Sequence, residues 1–238
     1  MLVRVLTHNI HKGLSPLCRR TIGGLREEIR ATGADLVFLQ EVRGAYRPHG
    51  DGPQHEYLAD SVWSDHCYGR NAVYRNGHHG NAILSRFPLV EQHNQDISLN
   101  RLERRGLLHA ETALPDGGPL HLFCLHLNLR HDDRVEQLEL VIRHLERALA
   151  GGQPAILAGD FNDWQGALSA GLSDSLGLRD AAEVAEGRHA RTYPSYFPLL
   201  RLDRIYFRGL ALESFQVLSG PRWRRLSDHL AMTATFRI

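Results

Sequence analysis

The 238-residue sequence has few cysteines, no long apolar run and almost no net charge. Its three cysteines, Cys18, Cys67 and Cys124, are far apart and odd in number, which argues against a disulfide framework and favours a reducing compartment. No stretch of about 18 apolar residues is present, so the sequence predicts no transmembrane segment. A formal charge of +1 gives no overall attraction to nucleic acid or anionic membranes, so any such attraction must be local.

The amino-terminal residues predict a strand and not a secretory signal. The stretch "MLVRVLTHNI" carries Arg4 inside a short apolar run and lacks a small-residue cleavage site, so it predicts a first strand. Together with the cysteine content, this predicts a cytoplasmic protein. There is no internal repeat, low-complexity tract or linker, and we therefore expect a single domain over residues 1–238 that is monomeric.

Strand and helix patterns alternate along the chain. "DLVFLQEV" is a continuous apolar run, typical of a strand covered on both faces. The apolar stripe of 134–149 predicts a helix, with Asp132 or Asp133 as its cap. Two strand patterns flank "NGHHG", which predicts a hairpin with His78 and His79 in its loop, near the mouth of a site. Hairpins mixed with βαβ units predict an α/β fold with mixed sheets.

Polar side chains recur where the predicted strands end. Residues i and i+2 of a strand share a face, so several of these polar residues are predicted to lie in pairs on one face of a strand. They are Asn9 with His11, Gln40 followed by Glu41, His126 with Asn128, Asp160 with Asn162, Asp203 alone, and Asp228 followed by His229.

Taken singly, each of these residues is typical of a turn, a helix cap or a surface histidine. Together, Glu41, Asp160, Asp203 and Asp228 would gather several carboxylates at one rim of the sheets, where α/β ligand sites form. Such charges repel unless a cation lies among them. Oxygen-rich ligands suit Mg²⁺ or Mn²⁺ better than zinc. A divalent ion beside histidines is suited to phosphoester hydrolysis.

The ordered motifs resemble the endonuclease/exonuclease/phosphatase superfamily. They are "THNIHKG", "LQEV", "GNAILSRFP", "ERRGLLHAET", "LHLNL", "GDFND", "LDRIYF" and "SDHLAM", and they cover essentially the whole chain. The combination of "LQE", "GDFN" and a terminal "SDH" is specific, whereas any one of them alone would be weak. The resemblance implies a four-layer α/β/β/α sandwich, in which two mixed β-sheets pack face to face, with an active site at one rim.

The resemblance also implies metal and phosphate ligands. By position, Glu41 is similar to the principal Mg²⁺ ligand, Asn9 lies close to the ion or the phosphate, and Asp228 matches a further metal-site carboxylate. Asn81 and Arg105 match phosphate contacts.

The remaining matched positions imply catalytic roles. Asp160 and Asn162 resemble the pair that orients the attacking water and contacts the phosphate. His229 matches the general base or phosphate-binding histidine, with Asp203 holding its ring. His126 matches the second active-site histidine of the deoxyribonuclease and sphingomyelinase branches. We expect the Asp203–His229 pair to activate water, although relatives differ on whether this aspartate–histidine unit or the aspartate of "GDFN" takes the proton.

One position departs from the repair nucleases of the superfamily. They carry an aspartate two residues after the first-strand asparagine, where this sequence has His11. A histidine there weakens a second metal position and argues against apurinic-site repair activity.

The substrate is predicted less sharply than the reaction. Two arginine clusters, "RLERRG" and "PRWRRL", fit the phosphate backbone of DNA or another nucleic acid, although such loops also bind other anions. The main alternative is a phosphodiesterase or phosphatase that acts on a phospholipid or a small molecule. Short loops and the lack of an amphipathic insertion helix argue against membrane binding. A binding module without catalysis and a zinc hydrolase are further alternatives; the zinc hydrolase lacks three clustered His or Cys ligands.

Overall fold

The computed structural model describes residues 1–46, 52–113 and 118–238, and within them twelve strands and six α-helices form. The strands are β1 Leu2–Asn9, β2 Leu36–Tyr46, β3 Asp65–Tyr74, β4 Gly77–Ser85, β5 Leu89–Asp96, β6 Gly106–Ala113, β7 Pro119–His126, β8 Ala155–Asp160, β9 Arg179–Asp180, β10 Asp203–Arg208, β11 Ala211–Leu218 and β12 Ala231–Arg237. The helices are α1 Ile22–Ala31, α2 Gln54–Ala59, α3 His131–Ala148, α4 Ser169–Leu176, α5 Ala181–Glu186 and α6 Trp223–Leu226. A short 3₁₀ turn, His11–Gly13, follows β1.

The strands form two six-stranded sheets. The first sheet has the order β11-β12-β1-β2-β4-β3 and the second β5-β6-β7-β8-β10-β9. Each is mixed: β1 pairs with β2 in parallel and β7 with β8 in parallel, while the other pairs are antiparallel. This arrangement confirms the predicted sandwich of two mixed sheets with helices outside.

Three apolar clusters fill the layers. The central cluster lies between the sheets and joins Val5 and Phe38 of the first to Leu122 and Ile205 of the second. A second cluster packs α1, α2 and α6 on the outer face of the first sheet. A third packs α3 and α4 on the outer face of the second sheet. Strands of both sheets are thus covered on both faces, as the continuous apolar runs predict.

Several local predictions were wrong in their boundaries. His78 and His79 lie on β4, because the hairpin turns one residue pair earlier, at 75–76. Helix α3 begins at His131, so Asp132 and Asp133 occupy its first turn and do not cap it. Their charge still favours the positive end of the helix dipole. The edge strands β5, β9 and β11 were not predicted, because exposed edge strands carry little apolar periodicity.

Two global features bear on the predictions from composition. All three cysteines are free thiols. No helix in the described ranges is long and apolar enough to cross a bilayer.

Candidate active site

The alternation of strand side chains carries the polar residues into the space between the sheets. In β1, Val3 and Val5 face the central core, and Asn9 continues the same alternation. In β8, Ile156 and Ala158 face that core and Asp160 ends the row. The apolar side chains of each strand pack in the core between the sheets. The polar side chain at the end of the strand faces the opposite sheet at the rim.

The strand directions then bring these ends to one edge. The carboxyl ends of β1, β7 and β8 and the middle of β2 meet the amino ends of the antiparallel strands β10 and β12. In the second sheet, His126, Asp160 and Asp203 are register partners on adjacent strands. Gly159, with φ of 152°, allows this close approach, because a Cβ there would lie 2.0 Å from the Leu125 carbonyl oxygen.

Asp160 is the most heavily contacted carboxylate of the site. Its Oδ2 accepts a hydrogen bond from Asn9 Nδ2 at 3.0 Å, across the two sheets. Its Oδ1 accepts one from the backbone N–H of Asn162 at 3.0 Å. Burial raises the pKa of Asp160 to about 6, with the charge of Asp203 adding to the effect and that of His229 opposing it. The carboxylate is therefore ionised at neutral pH with a pKa close to that range.

His229 and Asp203 form a buried pair beside it. His229 Nδ1 donates to Asp203 Oδ2 at 2.9 Å, and the Thr192 hydroxyl donates to the same oxygen. His229 Nε2 lies 3.7 Å from Asp160 Oδ2. Burial alone would lower the pKa of His229, but the charges of Asp203 and Asp160 raise it to about 10. The ring is an imidazolium at neutral pH.

The second histidine is held in the opposite charge state. His126 Nε2 lies 3.4 Å from Asp160 Oδ2, while its Nδ1 accepts from Arg105 Nη1 at 3.4 Å. Burial, together with the positive charge of Arg105, lowers the pKa of His126 well below its usual value. A neutral ring and an imidazolium therefore flank one carboxylate.

Glu41 lies inside β2, at the register shift that follows Gln40, the last residue of β2 that pairs with β1. The strand continues to Tyr46, so the prediction that it ends at this polar pair was wrong. The Lys12 ammonium is 2.8 Å from Glu41 Oε2. Burial favours the neutral acid, yet His126, Lys12 and His79 lower the pKa of Glu41 to about 2. Lys12 and Glu41 both have positive φ angles, 58° and 54°, as does Asn162 at 51°. Left-handed backbone at non-glycine residues is uncommon and concentrates at functional sites.

Asp228 and His11 occupy the outer side of the same rim. His11 Nδ1 lies 3.8 Å from Asp228 Oδ1, which also accepts from the Ser227 hydroxyl at 3.2 Å. The backbone N–H of His11 donates to Asn9 Oδ1 at 3.1 Å. Asn9 and Asp228, two of the predicted metal-site residues, are thus linked through the turn that carries His11.

Two predicted residues bond mainly to the protein backbone. Asn81 is buried and donates its Nδ2 to the carbonyl oxygens of Gly106 at 2.9 Å and Cys124 at 3.3 Å, which links the two sheets. Asn162 donates its Nδ2 to the Leu127 carbonyl at 2.9 Å. The phosphate contact of Asn81 stays a prediction, since its amide N–H groups point to the opposite sheet.

Sequence reasoning missed three residues of the site. Lys12 contacts Glu41, Thr192 holds Asp203, and His8 donates from Nε2 to the backbone carbonyl of His229 at 3.1 Å. Lys12 stands in the "THNIHKG" motif, where its position one residue from His11 was an available signal. His8 stands in the same motif, next to Asn9, whereas nothing in the local sequence around Thr192 marks it.

The donor set fits a hard divalent cation. Asp203 Oδ1 is buried and accepts no hydrogen bond within the described residues, and Glu41 Oε2 is contacted by Lys12 alone among them. One atom from each of Asp160, Asp203 and His229 lies within 4.8 Å of the others, and because the His229 ring is protonated the ligands of this group are the two carboxylates. Carboxylate oxygens with few neutral partners are the ligands that Mg²⁺ and Mn²⁺ prefer.

Sequence comparison agrees with this geometry. The sequence profile of the Endonuclease/Exonuclease/phosphatase family matches residues 6–229. The chain is 43% identical over 244 residues to the protein YbhP of Escherichia coli (strain K12), covering 99% of this chain and 96% of that protein. It is 32% identical over 136 residues to a UPF0294 protein of Vibrio cholerae serotype O1 (strain ATCC 39315 / El Tor Inaba N16961), covering 56% of this chain and 46% of that protein.

Solved structures share the fold at lower identity. An endonuclease/exonuclease/phosphatase from Beutenbergia cavernae DSM 12333 has a TM-score of 0.87 at 22% identity, covering all of this chain and 72% of that one. The mannosyl-6-phosphatase Bt3783 of Bacteroides thetaiotaomicron VPI-5482 has a TM-score of 0.79 at 20% identity, covering 99% and 100%. A truncated TDP2 of Caenorhabditis elegans has a TM-score of 0.73 at 20% identity, covering 100% and 98%.

Proposed function

The chain belongs to the endonuclease/exonuclease/phosphatase family of metal-dependent phosphoester hydrolases, and from this premise we propose that it is a Mg²⁺-dependent phosphodiesterase. The observation that carries the proposal is the set of Asp160, Asp203, His229 and His126 around one point between the sheets. The negative Asp160 carboxylate can hold the attacking water, and the positive His229 ring can hold the phosphate. In-line hydrolysis requires both groups at one place.

Glu41 is the principal ligand in this proposal, with Asn9 and Asp228 contributing from the same rim. When bound, Mg²⁺, or Mn²⁺ in its place, neutralises charge on the nonbridging phosphate oxygens. Lys12 already contacts Glu41, so its ammonium group must move aside or turn towards the substrate phosphate. Arg105, which contacts His126, adds a second positive charge for the phosphate.

We propose that Asp160 accepts the proton of the attacking water and that His229 stabilises charge on the phosphate. The pKa of Asp160 near 6 suits a base at neutral pH, whereas a ring with a pKa near 10 is already protonated. Activation of the water by the Asp203–His229 pair stays the alternative assignment. Asn162, whose N–H donates to Asp160, orients the carboxylate, and neutral His126 assists the leaving group.

Nucleic acid is the proposed substrate. Arg101 and Arg104 are exposed on the loop that leads to Arg105. Arg225 is exposed in the second arginine cluster, "PRWRRL". Such groups follow a phosphate backbone. A phospholipid or small phosphodiester is the second candidate, because a group of exposed apolar side chains lies next to the site, as described in the next subsection. The proposed enzyme is a monomeric, single-domain cytoplasmic protein.

The test is a panel of substrates with Mg²⁺: plasmid DNA, RNA, sphingomyelin, phosphoinositides and a chromogenic diester. We expect turnover of at least one diester, and a loss of about 10²–10⁴-fold in the His229→Ala variant with the fold retained by circular dichroism. Steep loss of DNA turnover with salt would support the nucleic-acid assignment. Turnover of lipid with inert DNA would replace it, and full activity of His229→Ala would remove that residue from the mechanism.

A further inference from the structure

A group of apolar side chains projects from the surface between α5 and β10. Tyr196, Phe197, Pro198, Leu199 and Leu200 form this apolar tip. The exposed fractions are 49% for Tyr196, 70% for Phe197, 52% for Leu199 and 38% for Leu200. Single exposed apolar residues are common, but four large ones within five residues form a patch of the kind that marks an interaction site.

The backbone holds the apolar tip away from the core. The N–H groups of Leu199 and Leu200 both donate to the Tyr193 carbonyl at 2.8 Å, and that of Phe197 donates to the Pro194 carbonyl at 3.0 Å. Ser195 fastens the base of the tip, donating from its N–H to the Asp228 carbonyl at 2.7 Å. These hydrogen bonds fix the backbone of the tip in the conformation that exposes its side chains.

The apolar tip is also continuous with the active site. The Tyr193 ring lies 4.9 Å from the His229 ring, and Thr192 donates to Asp203. A surface that binds the tip therefore lies next to the phosphate-binding residues. The hydrogen-bonded loop sets the distance between that surface and the active site.

The surroundings of the tip are positively charged. Residues 187–202 and 214–227 together contain six arginines and no aspartate or glutamate, and of these arginines Arg188 pairs with Glu186 and Arg222 with Glu28. Arg224 and Arg225 line a depression of about 390 Å³ together with Tyr196. Arg225 is exposed, and among the described residues no carboxylate pairs with it. An apolar protrusion with the unpaired Arg225 near its base is complementary to a surface that has an apolar interior and negatively charged groups outside.

We propose that the apolar tip docks the protein on an anionic phospholipid bilayer. Phe197 and Leu199 enter the boundary between headgroups and acyl chains, and Arg225 meets the lipid phosphates. Aromatic rings could also stack on nucleobases, but Leu199, Leu200 and Pro198 have no flat face to stack, whereas they gain by leaving water. The proposal goes beyond the assigned reaction and holds for either candidate diester.

The experiment is co-sedimentation of the full chain with sucrose-loaded vesicles, in EDTA so that no lipid is hydrolysed. One vesicle type is phosphatidylcholine alone and the other also contains phosphatidylglycerol. We expect binding to the phosphatidylglycerol vesicles, a drop of at least tenfold in affinity in the Phe197→Ser/Leu199→Ser variant, and weaker binding of Arg225→Gln and of the native chain at high salt. Because these side chains are exposed, the variants should melt at the native temperature.

The matched control is Leu2→Ser/Val90→Ser, which removes two equally exposed apolar side chains, 60% and 56%, far from the tip. We expect it to bind vesicles like the native chain. Absence of native binding, or equal loss in control and tip variants, would overturn the proposal. Unchanged vesicle binding in the tip variant together with weaker DNA binding would assign the tip to nucleobases instead. Turnover of the soluble chromogenic diester should be the same in tip and native proteins, so failure of docking and failure of the catalytic assignment are separately visible.

Discussion

Replacing Asp203 by asparagine tests the charge state of His229 directly. The substitution keeps the shape of the side chain and an oxygen that accepts from His229 Nδ1 and Thr192, so the fold should be retained. It removes the negative charge that contributes most to raising the pKa of His229 to about 10. Burial, which lowers the pKa, then acts with less opposition, since only the charges of Asp160 and Asp228 still raise it, and we expect the pKa of His229 to fall.

The effect on activity follows from the fraction of protonated rings. At pH 8 a ring with a pKa of about 10 is about 99% protonated, and one with a pKa of about 6.5 is only about 3% protonated. If the imidazolium is the active form, Asp203→Asn loses activity at pH 8, and the loss in kcat/KM reaches roughly 30-fold when the pKa falls to the ordinary histidine value of about 6.5. The native enzyme should lose activity only above about pH 10 and below about pH 6, where Asp160 becomes protonated.

The assay is the pH dependence of kcat/KM on a soluble chromogenic diester, together with the NMR titration of the His229 ring. Asp65→Asn is the control, because Asp65 also accepts a hydrogen bond, from the Leu89 N–H at 3.0 Å, but lies outside the site. An alkaline limb that stays at the native position in Asp203→Asn would refute the reasoning. Activity that rises with pH in the variant would identify the neutral His229 ring as the base.

Two further predictions concern the metal site, and a third concerns the pH dependence of stability. Glu41→Gln should raise the Mg²⁺ concentration needed for half-maximal activity, and an unchanged metal requirement would assign the principal ligand elsewhere. Lys12→Met should tighten Mg²⁺ binding measured by calorimetry, because the ammonium 2.8 Å from Glu41 no longer competes; weaker binding would contradict this. The urea concentration at the midpoint of unfolding should decrease as the pH is lowered from about 6.5 to about 4. Burial lowers the pKa of His8 to about 4, so this residue contributes about 3 kcal/mol to stability above pH 6.5, and that contribution is lost on acidification. Protonation of Asp160 opposes this below pH 6, but four more histidines behave like His8, so a flat midpoint would contradict the prediction; they are His55, His79, His109 and His126.

Much of the fold was predictable because strand periodicity is local. The apolar runs of β1, β2, β7 and β8 mark buried strands, and the polar residue that ends each run marks the rim. The same alternation that faces Val5 to the core faces Asn9 to the site. The edge strands β5 and β11 escaped prediction because their exposed side chains show no such contrast.

The sequence by itself determined which donor groups the site contains, because residue type and strand alternation are properties of short segments. The tertiary structure alone decided their protonation: the ring of His229 is charged and that of His126 neutral because burial and the charges of residues far away in the chain act on each. It also decided that Lys12 contacts Glu41 and that Phe197 remains exposed. Contact and exposure depend on how distant segments pack, and a pattern read along one segment carries no information about them.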